Sequence, residues 1–264
     1  MLYGRVRCVY SYKKIGAVVL FLFFAVLGVN LYATQDKKIQ IVQVAEGEKK
    51  EPEQKLEAVQ MRKKEQALLD VPLIEQLPEL PRGCEVTGLA MLLQHAGVST
   101  DKMELAKRIK RDPTVYEEQN GVIYFGHPNT GFVGDMYSFD NPGLGVYHAP
   151  IKELAEQYLP GRIIDMTGGE FSEIETSISN GKPVWIITNS RYKTLPAEEF
   201  ETWQTPSGEV DITYREHSVV VTGYDADYVF FNDPLTGAKN KKVAKQDFID
   251  AWVQMGRQAI TYVQ

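Results

Sequence analysis

The alternation of apolar and polar positions divides the chain into three stretches after a short basic N-terminus. An uncharged apolar run covers residues 15–33, and a polar run of mixed charge without aromatic residues covers residues 34–66. The polar run cannot bury enough apolar surface to become ordered alone, so we predict a tether there. Regular apolar patterns resume near Leu68, and we place one globular domain at residues 67–264.

Several segments of this domain have the apolar spacing of helices. After Pro81 and Gly83 break the backbone, apolar residues recur at the spacing of a helix with one buried face, so a helix should begin at about Cys84. The apolar positions are Val86, Leu89, Ala90, Leu92 and Leu93. Further helices are predicted at residues 101–111, 151–159, 171–179 and 246–255.

The predicted strands lie in the second half of the domain. Residues 183–188 have the composition of a buried strand, and residues 217–224 and 228–232 are typical of two strands joined by the turn Asp225-Ala226-Asp227. Residues 258–263 form a last predicted strand. Because helices come first and an antiparallel sheet follows, we predict an α+β domain.

A long segment at residues 112–150 interleaves glycines with aromatic residues. Loops of this length inside a compact domain usually carry function, and aromatic side chains on a glycine-rich backbone suit a ligand-facing surface. The alternative is a small core that folds the segment upon itself. The sequence leaves both open.

The apolar run at residues 15–33 follows a basic segment, residues 1–14, that holds Arg5, Arg7, Lys13 and Lys14. As a helix this run spans about 28 Å, enough to cross a hydrocarbon core, and the bases place the N-terminus in the cytoplasm. A signal peptide cleaved near Ala33 is the alternative. Under either reading the domain lies outside the cytoplasm, as a single-pass membrane protein or as a secreted one.

Charge is unevenly distributed along the chain. The total is −6, residues 1–14 carry four bases and no acids, and residues 35–66 carry eight bases against seven acids, so residues 67–264 carry −11. Such a domain repels nucleic acid phosphates, which argues against nucleic acid as a partner. The two cysteines, Cys8 and Cys84, cannot make a disulfide framework and lie on either side of the predicted membrane segment.

Cys84 is the candidate nucleophile because it lies in the first turn of the predicted helix. The free N–H groups and the helix dipole there favour a thiolate over a thiol. The alternative is a small buried cysteine that only packs. Among possible bases, His95 lies about 16 Å farther along the same helix, and His127 and His148 fall in the irregular segment and match no metal motif.

His217 is the better candidate base, because it begins a strand whose hairpin partner ends at Asp233. A three-residue turn would pair Tyr224 with Tyr228 and bring Val219 opposite Asp233, on the face that carries His217. An Asn-Asp-Pro turn opener is the alternative role for Asp233. Gln76, eight residues before Cys84, is the candidate second donor to an oxyanion, or else a solvated loop residue.

These residues resemble the C39-like cysteine peptidases, in particular the stand-alone, secreted or membrane-anchored bacterial proteins related to the bacteriocin-processing peptidase domain. The similarity runs from about Val71 to Tyr262. The matching stretches are Gln76 with Leu80–Thr87, Pro128–Met136, Gly181–Val184, His217–Asp225 and Asn232–Pro234. The resemblance implies a papain-like fold in which a nucleophile helix packs on an antiparallel sheet.

Carried over to this sequence, the resemblance implies Cys84 as nucleophile, His217 as general base and acid, Asp233 as the group that orients it, and Gln76 as oxyanion donor. No metal or cofactor is implied. Glu85 stands where the bacteriocin-processing enzymes usually have glycine, and no transporter domain follows, so cleavage of double-glycine leaders is not implied.

The leading functional hypothesis is a membrane-tethered, extracytoplasmic thiol peptidase acting on peptides or proteins. An amidase or transpeptidase acting on the stem peptides of peptidoglycan is the enzymatic alternative. A papain-like module that binds a peptide or glycan without cutting it is the alternative from another class.

Overall fold

The computed structural model describes residues 63–264. The predicted anchor at residues 15–33 and nearly all of the predicted tether at residues 34–66 lie outside these residues. Within the part that is described, no helix combines the length and the apolar character that crossing a membrane requires.

Five α-helices lie close to their predicted positions. They are α1 (Cys84–His95), α2 (Lys102–Arg108), α3 (His148–Glu156), α4 (Phe171–Ser179) and α5 (Lys245–Gln254). Helix α2 begins after Asp101, whose carboxylate accepts hydrogen bonds from the N–H groups of Met103 and Glu104. It ends three residues earlier than predicted, because Arg111 pairs as a strand with Phe132.

Most of the strands build one seven-stranded antiparallel sheet. Its members are β1 (Ala67–Leu68), β6 (Ile163–Asp165), β7 (Val184–Asn189), β10 (Glu216–Tyr224), β11 (Tyr228–Asp233), β12 (Ala238–Ala244) and β13 (Ala259–Tyr262). The order is β12-β11-β10-β7-β13-β6, and β1 pairs with the end of β10. Helices and an antiparallel sheet confirm the predicted α+β class.

Helix α1 is more deeply buried than its sequence pattern predicts. One buried face was expected, but every residue from Cys84 to Leu93 is buried. Side chains of α2, α3 and the sheet surround it in one apolar cluster. At Gly88 an added Cβ would lie 3.0 Å from the Trp185 ring and 3.3 Å from Ser218 Oγ, so glycine lets the helix approach β7 and β10 closely. This contact fixes Cys84 against the sheet.

The hairpin of β10 and β11 has the register that the prediction needed, although its turn is longer. Tyr224 pairs with Val229 instead of Tyr228, which corrects the predicted turn. A bulge between Val221 and Gly223 then shifts the register, and Val220 pairs with Asn232. The same register continued by one residue brings Val219 opposite Asp233, as predicted.

A second, four-stranded sheet was not predicted. It comprises β3 (Glu117–Gln119), β4 (Val122–Tyr124), β8 (Glu201–Thr205) and β9 (Gly208–Ile212). Two further short strands, β2 (Arg111–Asp112) and β5 (Phe132–Val133), pair beside it. Phe125, Val133, Leu144, Trp203 and Ile212 form a small core. The glycine and aromatic segment therefore folds onto residues far along the chain.

Candidate active site

Cys84 is the first residue of α1 and is only 6% exposed. Gly83 precedes it and supplies no capping side chain, so the helix N-terminus stays open at the thiol. Within residues 63–264, Sγ donates one hydrogen bond, to Glu85 Oε2 at 3.3 Å, and none to His217. The backbone N–H of Ser218, the residue after His217, lies near enough to lower the pKa of this thiol. The thiol therefore lies against the segment of β10 that carries His217.

His217 and Asp233 are in direct contact, as the register required. His217 Nε2 lies 2.9 Å from Asp233 Oδ1, and the two residues are 2% and 0% exposed. A carboxylate only accepts hydrogen bonds, so Nε2 carries the proton and Nδ1 is the nitrogen left to accept one. The Tyr192 ring packs against the imidazole edge with centroids 6.2 Å apart, which restricts its rotation.

Asp233 is surrounded by donors. Its Oδ2 accepts hydrogen bonds from Tyr192 Oη at 2.7 Å, Thr236 Oγ1 at 2.6 Å and Lys241 Nζ at 2.9 Å. The backbone N–H of Leu235 donates to Oδ1 at 3.0 Å. Burial by itself would raise the pKa of this carboxyl, but the bonds and charges of His217, Thr236 and Lys241 outweigh it and hold the pKa well below its usual range. Asp233 is therefore ionised.

Gln76 lies at the same site, held by the chain on both sides. Its backbone N–H donates to Pro234 O at 2.9 Å, directly after Asp233. Its side-chain Nε2 donates to Leu80 O at 3.3 Å and to Pro81 O at 2.9 Å, just before Cys84. The residue is 2% exposed, so the alternative of a solvated loop glutamine is wrong. Its Oε1 is buried without a hydrogen-bond partner in residues 63–264.

A cavity of about 390 Å³ opens beside the thiol. Gln76 and Cys84 line it together, and Phe139 and Leu144 enter from the glycine and aromatic segment. The segment from Thr213 to Glu216 forms another wall, and Arg82 contributes a guanidinium. Residues 112–150 therefore contribute side chains both to a small core shared with Trp203 and Ile212 and to the wall of this cavity, and a ligand-facing role stays a prediction.

Two acidic side chains lie next to the thiol, and the sequence did not assign them a role. Glu85 Oε1 accepts a hydrogen bond from Val146 N at 2.6 Å. Cys84 Sγ, one carboxylate oxygen of Glu85 and one carboxylate oxygen of Glu216 all lie within 4.8 Å of one another. Burial raises the pKa of the Glu85 carboxyl to about 7.

The two acids correct the prediction that the Cys84 side chain is a thiolate in the resting site. Burial raises the pKa of the Cys84 thiol well above its ordinary value, and the charges of Glu85 and Glu216 raise it further. The N–H of Ser218 acts in the opposite direction and does not compensate. The helix N-terminus therefore does not suffice to ionise the thiol in this state.

The sequence contained a signal for part of what was missed. Glu85 and Glu216 directly adjoin Cys84 and His217, so each candidate catalytic residue has an acid beside it. Tyr192 and Lys241 gave no such signal, because β12 and the loop after β7 bring them to Asp233 from distant positions.

The remaining histidines lie elsewhere. His95 ends α1 and its Nδ1 lies 2.7 Å from Tyr262 Oη. His127 Nδ1 accepts from the N–H of Asn129, and His148 Nδ1 lies 2.9 Å from Asp165 Oδ2. None of these contacts involves Cys84.

Comparison with known proteins assigns the family. The model of the Peptidase_C39 like family matches residues 68–260. The uncharacterized protein YvpB of Bacillus subtilis (strain 168) is 46% identical over 194 residues, which are 73% of this chain and 74% of that protein. A crystal structure of a candidate C39-like peptidase from Bacillus anthracis is 50% identical, with a TM-score of 0.71, and the match covers 76% of this chain and 98% of that one. The resemblance seen in the sequence is confirmed, and this chain belongs to the Peptidase_C39 like family.

Proposed function

We propose that this protein is a thiol peptidase that cleaves peptide bonds through Cys84, His217 and Asp233. The observation that carries the proposal is the buried hydrogen bond between His217 Nε2 and the ionised Asp233, next to a cysteine at an open helix N-terminus. A base held in one tautomer beside a nucleophile is the arrangement that covalent acyl transfer requires. Membership of a peptidase family supports the same reaction class.

The reaction would begin with transfer of the Cys84 proton to His217 Nδ1. The thiolate attacks the peptide carbonyl carbon, a C–S bond forms, and the carbonyl oxygen becomes an oxyanion. The imidazolium then protonates the leaving amine as the C–N bond breaks, which leaves a thioester. A water molecule gives one proton to His217 and attacks the thioester carbonyl carbon. The C–S bond then breaks, the acid product leaves, and His217 returns the proton to the Cys84 sulfur.

The oxyanion would be stabilised by the Cys84 backbone N–H and by Gln76. The helix N-terminus supplies the first donor without rearrangement. The Gln76 amide is now bonded to the carbonyls of Leu80 and Pro81, so it must give up the longer of these bonds, at 3.3 Å, to turn towards the oxyanion. Gln76 is therefore the donor whose contribution depends on substrate binding.

The wider setting is also part of the proposal. A nucleophile helix packed on an antiparallel sheet that carries the base and its partner is the papain-like arrangement. The basic and apolar segments at residues 1–14 and 15–33 would anchor the chain, with residues 67–264 outside the cytoplasm. Its substrates would then be extracytoplasmic peptides or proteins.

The experiment that tests this proposal is alkylation of Cys84 by iodoacetamide between pH 5 and 9 in the full-length chain. A Cys8→Ser background leaves Cys84 as the single thiol. We expect labelling in this range to slow at least about tenfold in His217→Ala, because the imidazole no longer takes the thiol proton.

Equal profiles in the parent and His217→Ala would overturn the proposed pair. The same preparations are then incubated with a mixture of synthetic peptides and, separately, with purified peptidoglycan. New amine ends that appear with the parent and not with Cys84→Ala identify the class of bond that is cut. Peptide binding without cleavage by the parent would count against the peptidase.

A further inference from the structure

The carboxyl groups of Glu85 and Glu216 approach each other within 4.8 Å. At this separation in a buried site, repulsion disfavours ionisation of both acids. Glu85 Oε1 and Glu216 Oε2 both crowd the Cα of Gly145, where an added Cβ would lie 2.1 Å from the first and 3.0 Å from the second. Glycine at position 145 leaves the space that both carboxyl groups occupy. Glu216 Oε1 is buried and has no hydrogen-bond partner within residues 63–264.

The carboxyl groups of Glu85 and Glu216 accept few hydrogen bonds. Glu85 Oε1 accepts from the Val146 N–H, and Glu85 Oε2 accepts from the Cys84 thiol. In the part of the chain that the structure describes, neither acid forms an ion pair with lysine or arginine. Two adjacent carboxyl groups in such surroundings retain one proton between them, because the second negative charge would be neither hydrated nor paired.

The charged and titratable groups around the pair do not neutralise it. Tyr147, just before α3, faces both acids and is kept neutral by burial and by their charge. Asp211 on β9 also raises the pKa of Tyr147. His217 is the next residue on β10 and is hydrogen-bonded to Asp233.

Two guanidinium groups line the neighbouring cavity, and both are engaged elsewhere. Arg215 is paired with Glu199 at 2.9 Å. Arg82 donates to the backbone carbonyls of Asp135 and Ser138. The pair therefore faces the thiol without a cation of its own.

We infer that Glu85 and Glu216 share one proton, position the Cys84 thiol, and make its reactivity fall as the pair loses that proton near neutral pH. The inference rests on the proposed role of Cys84 as nucleophile. It assigns two positioning residues, which act through the thiol and do not touch the scissile bond.

The proton balance explains the direction of the effect. Activation moves one proton from Cys84 Sγ to His217 Nδ1, and the overall charge of the site does not change. While the acids hold their shared proton, Glu85 can donate it in a hydrogen bond to the new thiolate, and the pair carries one negative charge. After that proton leaves, two negative charges face the sulfur and oppose the thiolate. The reactive form is therefore favoured on the acidic side.

The test compares Glu85→Gln and Glu216→Gln with the parent, all full-length and in the Cys8→Ser background. Glutamine keeps the shape of the side chain and cannot lose a proton. We expect the alkylation rate of Cys84 in the parent to fall between pH 6 and pH 8. In each variant, the rate at pH 8 divided by the rate at pH 6 should be about tenfold higher than in the parent. Glu209→Gln, on an exposed position of β9, is the matched control and should keep the parent profile.

Infrared difference spectra provide a readout that is independent of the thiol. The parent should show the C=O stretch of a protonated carboxyl at pH 6 that disappears towards pH 8, and each glutamine variant should lose this band. Absence of the band in the parent, or variant profiles equal to that of the parent, would overturn the inference. If His217→Ala leaves labelling unchanged while the band is present, the proposed peptidase fails and the proton-sharing pair stands.

Discussion

Asp233 and Glu85 are two buried carboxyl groups of one site, and their surroundings set them apart. Four side chains and the backbone N–H of Leu235 donate to Asp233, and one of these side chains is the cation Lys241. Glu85 accepts hydrogen bonds from the Val146 N–H and from the Cys84 thiol, and the neighbouring side chain of Glu216 is another acid. The pKa of Asp233 is lowered, while that of Glu85 is raised.

The comparison shows that the number and charge of the donors decide ionisation when burial is equal. Both groups lose hydration, which alone favours the neutral acid. Only Asp233 has enough donors to reverse that preference. The site thus holds a permanent negative charge on Asp233 beside the base, while the charge of Glu85 beside the nucleophile changes with pH.

The largest expected effect comes from removing the permanent charge. Asp233→Asn keeps the shape of the side chain but replaces the carboxylate that accepts the hydrogen bond of His217 Nε2 with a neutral amide. We expect the kcat for peptide cleavage to fall by at least about 100-fold, because the imidazole loses its fixed tautomer. Steady-state kinetics on a synthetic peptide that the parent cleaves measures this change. Asp250→Asn, on the exposed side of α5, should leave kcat unchanged, and equal activity of the two variants would contradict the role of Asp233.

The second effect concerns stability against pH. The pKa of Glu85 lies near 7 in the folded chain, above its unfolded value near 4.5. The folded state therefore binds more protons between these values, so stability is greatest below pH 4.5 as far as this group is concerned and declines as pH rises through 7. For a shift of this size the loss is on the order of 3 kcal/mol.

Urea unfolding at pH 5 and pH 8 measures this loss, and Glu85→Gln should reduce the difference between the two free energies of unfolding. Glu209→Gln should retain the full difference. A Glu85→Gln chain with the same pH dependence as the parent would mean that the carboxyl is ionised throughout, like Asp233.

The smallest of the three effects comes from Gly145→Ala, which should separate the two acids. The new Cβ overlaps Glu85 Oε1, which is buried and held by Val146, so the cost of overpacking should be about 1–3 kcal/mol in the free energy of unfolding. The alkylation profile should move towards that of Glu85→Gln.

Gly169→Ala is the matched control for this change. Its Cβ would also lie close to a carboxylate oxygen, Glu173 Oε2 at 2.3 Å, but Glu173 is exposed and can rotate away. Thermal unfolding of both variants measures the difference. An equal loss in the two variants would show that Gly145 is not required for the carboxyl pair.

Much of the larger sheet follows from local patterns in the sequence. The helices at residues 84–95 and 171–179 and the strands of the β10 and β11 hairpin have regular apolar spacing and clear end signals. The contact between His217 and Asp233 also followed from register, although a bulge beyond Val221 compensated for a longer turn. Regular elements of this kind specify their own geometry.

The second sheet and the acidic pair could not be derived in this way. Strand β4 pairs in parallel with β8, about 80 residues later, and the two strands have only three and five residues. The proximity of Glu85 and Glu216 depends on how the loop at Gly145 passes between α1 and β10. Local periodicity carries no information about such long-range approaches.

Strand β12 forms one edge of the large sheet and carries Lys239, Lys241 and Lys242. Lysines along an exposed edge discourage other chains from adding a strand, which protects a concentrated protein from aggregation. Because Lys241 also donates to Asp233, the same strand protects the sheet edge and supplies the site with its cation. Changes that alter the solubility of this edge will therefore also alter the charge balance beside the base.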